Sequence, residues 1–332
     1  MKYNSKDVVT SHQIDGMRSK AFQTIFRFRE MYVILILVGI GILISFFSKY
    51  FLRTENLMGI ARSFSTNAIM AIGMTIVIVA GGIDLSVGSV MGLSAIMTAL
   101  GFEKGYPVLL CVFIGLSVGI VFGVFNGFLV AKVKLQPFIA TLGTVSIGRG
   151  LIYMITKGTP KTPELPGSYV FIGQGYLGVV PMPVFILFTL TVIFAIVMSM
   201  TRFGRYVYAL GGNELASKLS GVKTDQVKIA VYMLSGILSS VAGIVLYARL
   251  TSAEASAGVG SETEVIASAV IGGASMAGGA GSVVGAIVGA ALIGVITNGI
   301  VLLNINTYAQ QAIVGTVILL TVSLDTIQNR KK

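Results

Sequence analysis

Few side chains in this chain are of types that do chemistry. The single histidine, His12, lies in a polar N-terminal segment, and the single cysteine, Cys111, lies in an apolar run. One thiol cannot form an intrachain disulfide, and one imidazole does not make a metal cluster or a histidine-based triad. No G-x-x-x-x-G-K-[ST] or HExxH pattern occurs, and the glycine run 272–281 lacks the lysine that a phosphate loop uses. Glu262 and Glu264 are the one close pair of acids, in or beside a loop. No catalytic constellation results, and the chain is not expected to be an enzyme.

The polar residues that stand out interrupt apolar sequence. At 81–92 (GGIDLSVGSVMG) an apolar helix stops at Gly81 and Gly82, an acid follows at Asp84, and a new apolar run begins near Val87. Glycine frees the backbone to leave a helix. Asp84, Ser86 or both can cap the next helix, whose first N–H groups need acceptors. A carboxylate deep in a bilayer costs roughly 2.5–3.5 kcal/mol and needs compensation. Two readings stand: a broken helix at a translocation path or gate, or a capped interhelical turn. A proton relay has less support, because no second buried acid is near in sequence. Asn126 and Asn298 lie inside apolar spans and either bond a polar solute or bond a neighbouring helix. Arg149, also within a span, needs a partner or an interfacial position.

Gly115, Gly119, Gly123 and Gly127 fall every four residues, and Gly281, Gly285 and Gly289 repeat the spacing. Such stripes let helices approach closely, which is architecture and not solute binding. In 201–228, Gly211, Gly212 and Asn213 suggest a turn. Asn213 is a plausible N-cap, Glu214 suits the positive end of a helix dipole, and ELASKLSG reads as a short helix ending at Gly221. This capped helix either docks a partner or serves as a solvated connector.

The elements that would position these residues are membrane helices. Of 332 residues 55% are hydrophobic and 11% charged, with mean hydropathy +0.89. About 25% charge is usual for soluble domains. Ten spans are predicted, at 31–50, 62–80, 87–102, 107–132, 137–156, 183–200, 229–249, 264–279, 281–303 and 309–325; the third and eighth are short and glycine-rich. The net charge of +11 is not gathered on a polar domain, which argues against nucleic-acid binding. With the N-terminus inside, 16 of the 24 Lys and Arg fall on the cytoplasmic side and seven outside, Arg149 aside. This places 1–30 and 326–332 as cytoplasmic tails around a transmembrane domain at 31–325, with 201–228 cytoplasmic and 157–182 outside. Residues 21–29 interleave Phe and Arg, as a surface-lying helix or as a solvated lead-in. Two segments echo each other: 123–145 with 294–317, matching at Asn126 and Asn298, and more loosely 81–92 with 272–285. Internal repeats are common in transporters.

GGIDLSVGSVMGLSA at 81–95, PFIATLGT at 137–144, GRGLIYMITKG at 148–158, TRFGRYVYALGGNELASKLSGV at 201–222 and the pattern from Ala267 to Gly285 closely resemble permeases of the ribose/galactose-type ABC import family. The resemblance runs over roughly 30–325. It implies an all-α, type II-like importer permease that works as two membrane subunits, with cytoplasmic ATPases that bind ATP and Mg and an extracytoplasmic sugar-binding protein, in a bacterial inner membrane. It implies a coupling helix formed by Gly211, Gly212, Asn213, Glu214, Ala216, Ser217, Leu219, Ser220 and Gly221. Gly81, Gly82, Asp84, Ser86, Asn126 and Asn298 would lie on the path or gate. The chain itself would bind no cofactor. A monosaccharide is the expected solute; nucleosides and a furanone-like signal are handled by related permeases. The competing class is an ion-coupled secondary transporter. The expected path is weakly binding, with few fixed ligands.

Overall fold

The structure is a computed structural model that describes residues 31–306 together with 312–313 and 315–316. The expectations for both tails, for 21–29 and for most of the tenth span lie outside the described residues. Twelve helices and one small hairpin follow in order: α1 (Met31–Phe47), α2 (Thr54–Val79), α3 (Val87–Glu103), α4 (Val108–Ala131), α5 (Pro137–Thr156), α6 (Gly167–Gln174), β1 (Tyr176–Leu177), β2 (Val180–Pro181), α7 (Met182–Met200), α8 (Arg202–Gly212), α9 (Glu214–Leu219), α10 (Thr224–Leu250), α11 (Ser261–Ile271) and α12 (Val283–Leu302). Six of them, α2, α4, α5, α7, α10 and α12, are long and apolar enough to cross a membrane.

The predicted spans agree with helices in most places and fail in an instructive one. The eighth, 264–279, is not one continuous helix. Its helix α11 begins earlier, at Ser261, and stops at Ile271. Gly273, Gly278 and Gly279 then take positive φ. Eleven residues rise about 16 Å, half of the ~30 Å hydrocarbon layer. α3 matches its predicted bounds closely, but 17 residues make only about 25 Å. α2 begins eight residues before the predicted 62, because the helix continues back through the polar Thr54, Glu55 and Asn56 that head TENLMGIA.

α2 and α10 form the centre. Residues 68–79 of α2 are buried without interruption, against α10, α11, α12 and α7. α4, α5 and α7 instead expose Leu109, Phe113, Phe138, Ile139 and Phe188, side chains that lipid can cover. The first glycine stripe does what its spacing predicts: α4 lies on α10, and a Cβ on Gly119 or on Gly236 would strike the other's carbonyl. The second is shorter than expected. Gly281 precedes α12, while Gly285 and Gly289 pack on Gly272 and Ser268 at the C-terminal part of α11.

The 157–182 connection is more ordered than its prolines and glycines suggest. It carries α6, whose Tyr169 is fully buried, donates to the Ile244 carbonyl at 2.9 Å and stacks against Phe102 and Tyr247. The internal echoes do not share one register. Asn126 is reached from 81–92 through α3 and then α4, whereas Asn298 is reached from 272–285 within α12 alone.

Segments expected on one side of the membrane do gather at one end. Lys132 and Lys134 both reach Asp225 at the start of α10, at 2.9 and 3.1 Å, and Lys228 reaches Glu214 at 2.7 Å. At the opposite end Lys161 meets Glu103 at 3.2 Å and pairs its backbone with Ala253.

Candidate functional site

Two glycine-bearing turns and the glycine end of α8 meet at the end that carries α8 and α9. α2 ends at Val79, and Gly81 turns the chain with φ +82°. The Val79 carbonyl accepts from the amide of Gly279, in the loop after α11, at 2.8 Å. Gly211, near the end of α8, sits against both: an added Cβ would run into the Val79 carbonyl and the Gly279 amide. Tyr208 of α8 donates to the Gly281 carbonyl at 2.8 Å. The predicted turn at Gly211 and Gly212 is thus the last helical part of α8, and the chain bends one residue later, at extended Asn213. The glycines serve close approach, because only a residue without Cβ lets three backbones touch.

Gly211→Ala is expected to destabilise the protein by about 1–3 kcal/mol through this overpacking. Gly212→Ala adds a Cβ that meets nothing and is expected to be neutral or to stabilise the helix by up to about 1 kcal/mol. Cys111 is buried and free, so its maleimide reactivity on heating reads both outcomes.

α9 hangs from this junction. Asn213 Oδ1 accepts from the Ala216 amide at 2.9 Å, the predicted N-cap. Both Glu214 oxygens accept from Lys228 Nζ at 2.7 Å, tying α9 to α10. Gly221 closes the far end with φ +84°, its N–H bonded to the Lys218 carbonyl at 3.1 Å. Ser217 faces inward, and Ser220 bonds the Ala216 carbonyl. Leu219 is 81% exposed, and so is its neighbour one turn earlier, Leu215, at 68%. Leu215 was not among the expected residues, though an apolar pair four apart on a polar helix was there to be read. A cleft of about 530 Å³ lies between α9 and the ends of α2, α4 and α10, lined by Gly81, Gly82, Gln136, Gly212, Lys228 and Tyr232 among others.

Asp84, Ser86 and Asn126 form a knot just inside that junction. Asp84 is 1% exposed. Its Oδ1 accepts from the Ser86 amide at 3.0 Å and from Ser86 Oγ at 2.6 Å, and its Oδ2 accepts from Ser235 Oγ of α10 at 2.8 Å. The side chain that meets an orphan amide ahead of α3 is therefore that of Asp84. Ser86, at the N-cap position, makes no side-chain cap and instead accepts from Asn126 Nδ2 of α4 at 2.9 Å. Asn126 Oδ1 is buried without a hydrogen-bond partner. The carboxylate thus ties the turn ahead of α3 to α10, and the Ser86 hydroxyl extends the tie to α4. Ser235 gave no sequence signal, since a serine in an apolar helix is ordinary.

Asn298 is not part of this group. It lies on α12 in a second cavity and exchanges two hydrogen bonds with Asn56 of α2, at 3.1 and 2.9 Å. Arg149 has the partner its position required: Nη1 donates to the Ala257 carbonyl at 2.6 Å. Glu262 and Glu264 stand in the first turn of α11 and not in a loop.

A predominantly helical chain with internal breaks and a short capped helix narrows the families, and comparison decides among them. Residues 56–322 match the family described as branched-chain amino acid transport system / permease component. The chain belongs to this permease family. It is 39% identical to the ribose import permease protein of Haemophilus influenzae, over 92% of this chain and 94% of the relative. It is 41% identical to the ribose import permease protein of Bacillus subtilis, over 86% and 88%. It is 38% identical to the D-allose transport system permease protein of Escherichia coli, over 83% and 85%. No solved structure matches the chain significantly. It is a multi-pass membrane permease component in which Asp84, Ser86, Asn126 and Ser235 hydrogen-bond one element to another.

Proposed function

We propose that this permease is the transmembrane subunit of an ATP-binding-cassette importer, passing a monosaccharide delivered by an extracytoplasmic binding protein. The names of the relatives support the sugar. The observation that carries the mechanism is the exposed Leu215 and Leu219 pair on α9, one residue beyond a junction that touches the breaks after α2 and α11. An ATPase subunit that grips α9 would move Gly211, and with it the ends of α2 and of the 272–282 loop. Close packing transmits such a push because packed cores shift between discrete arrangements and do not deform smoothly.

In this reading α8 and α9 face the cytoplasm, both termini are cytoplasmic, and the domain has about ten spans with a partial internal repeat. Two copies, or one copy and a homologue, enclose the pore in the inner membrane of a bacterium, in contact with lipid and with no nucleic acid. ATP and Mg are bound by the partner ATPase.

The test is co-purification with an ATP-binding-cassette ATPase subunit from the same organism, then reconstitution in liposomes with the binding protein. A stable complex and ATP-dependent uptake of labelled D-ribose, D-xylose or D-allose are expected. Uptake of a nucleoside or furanone instead would move the solute class and keep the mechanism. No complex, with flux that follows an imposed proton or sodium gradient, would replace the importer by a secondary transporter.

A further inference from the structure

The second cavity lies between α2, α11 and α12, and measures about 430 Å³, within the ~300–1,000 Å³ of ordinary ligand sites. Its polar groups come from every wall: Ser63 and Asn67 of α2, Glu264 of α11, Thr297 and Asn298 of α12, and Arg249 at the end of α10. Polar side chains inside a membrane protein are costly and mark solute paths. We infer that this cavity is a holding site for a neutral polyhydroxylated solute, on the side of the permease away from α9. The inference rests on the importer reading and names a place within it.

The position follows from α2. Asn67 lines this cavity and Val77 lines the cleft beside α9. Ten residues of helix separate them, about 15 Å. Between them Ile69, Met70, Ile72, Met74 and Ile76 are fully buried. α11 and its loop run in parallel, from Ser268 in the outer cavity to Ala277 in the cleft. A solute in the outer cavity is therefore in line with the cleft, behind an apolar plug made by the same two elements that end at the Gly81, Gly211 and Gly279 junction.

The chemistry follows from the balance of donors and acceptors. The charged lining groups are one acid, Glu264, and one base, Arg249, so the site suits a neutral solute better than a lone ion. Glu264 accepts from Asn67 Nδ2 at 2.6 Å, and Arg249 Nη1 donates to the Arg62 carbonyl at 3.3 Å. An amide offers two donor and two acceptor positions; Asn56 and Asn298 exchange one of each, and Asn56 Nδ2 also donates to the Phe51 carbonyl at 2.9 Å, so the spare donor of the pair is on Asn298. Hydroxyls, which both donate and accept, match such a mixed set. Phe64 and Ile60 offer apolar faces for the C–H surfaces of a sugar ring. A branched-chain amino acid needs its charges bound at one end and an apolar pocket at the other, whereas here polar groups line all the walls.

Thr297→Cys in a Cys111→Ala background is labelled with a hydrophilic maleimide in lipid, without ATP, and Ser63→Cys serves as a second reporter. D-ribose, D-xylose or D-allose at about 100 mM is expected to slow labelling about tenfold for a dissociation constant near 10 mM. L-leucine is expected not to. Asn67→Leu is expected to remove the protection and to lower uptake per ATP hydrolysed about tenfold. Protection by leucine instead, or by none of the three sugars at either reporter, overturns the holding site. Labelling is read without turnover, so that failure is distinguishable from failure of the importer reading, which shows as absent ATP-driven uptake in the unaltered protein.

Discussion

An Asp84→Ala permease is expected to lose about 2–5 kcal/mol of stability, the largest effect of any single side chain described here. The lower figure is the sum of three hydrogen bonds at the modest net values measured within membranes. The upper figure applies because alanine leaves the Ser86 amide and the Ser86 and Ser235 hydroxyls buried without their acceptor. Asn126 loses indirectly, since its amide bonds the hydroxyl that Asp84 orients. Asp84→Asn keeps an acceptor of the same shape and is expected to cost less than half as much. Heating in detergent with maleimide labelling of Cys111 measures both. An alanine variant as stable as the unaltered protein, but altered in a proton- or sodium-driven flux, would make Asp84 a coupling acid and not a structural tie.

Leu215→Glu with Leu219→Glu is expected to abolish recovery of the ATPase in a pull-down and to lower uptake by about two orders of magnitude or more. Central apolar anchors at interfaces are each worth about 2 kcal/mol when lost, and here a charge also replaces each one. Both side chains are exposed, 68% and 81%, so the fold and the thermal midpoint are expected to stay as they were. That contrast separates docking from folding. A double variant that still binds the ATPase and transports would show that α9 is a connector.

Much of this was legible because membrane helices are written in composition and spacing. The α4 glycine stripe, the Asn213 cap and the Gly221 stop are local patterns, and local geometry decides them. The break at Gly81, Gly82 and Asp84 was legible for the same reason. Its partners were not. Ser235 lies 151 residues from Asp84 in the chain, and nothing about a serine in an apolar helix marks it as a carboxylate ligand. Asn126 and Asn298 looked equivalent by their surroundings in sequence, yet one bonds Ser86 beside the junction and the other bonds Asn56 in the outer cavity. α11 was misread because hydropathy measures where a segment is content to lie. It does not register that Gly272 and Gly273, the second with positive φ, end the helix at Ile271.

By itself the sequence determined that this chain is a helical membrane protein with a broken helix and a short capped helix between spans, and its motifs carried the resemblance to sugar permeases. Burial preference, glycine freedom and helix capping act over a few residues and need no knowledge of neighbours. Only the tertiary structure decided that Gly81, Gly211 and Gly279 form one junction, and that Asn67, Glu264, Arg249 and Asn298 share one cavity. Those contacts join helices far apart in the chain, and which faces meet is settled by packing, where a missing Cβ or one hydrogen bond outweighs any local preference.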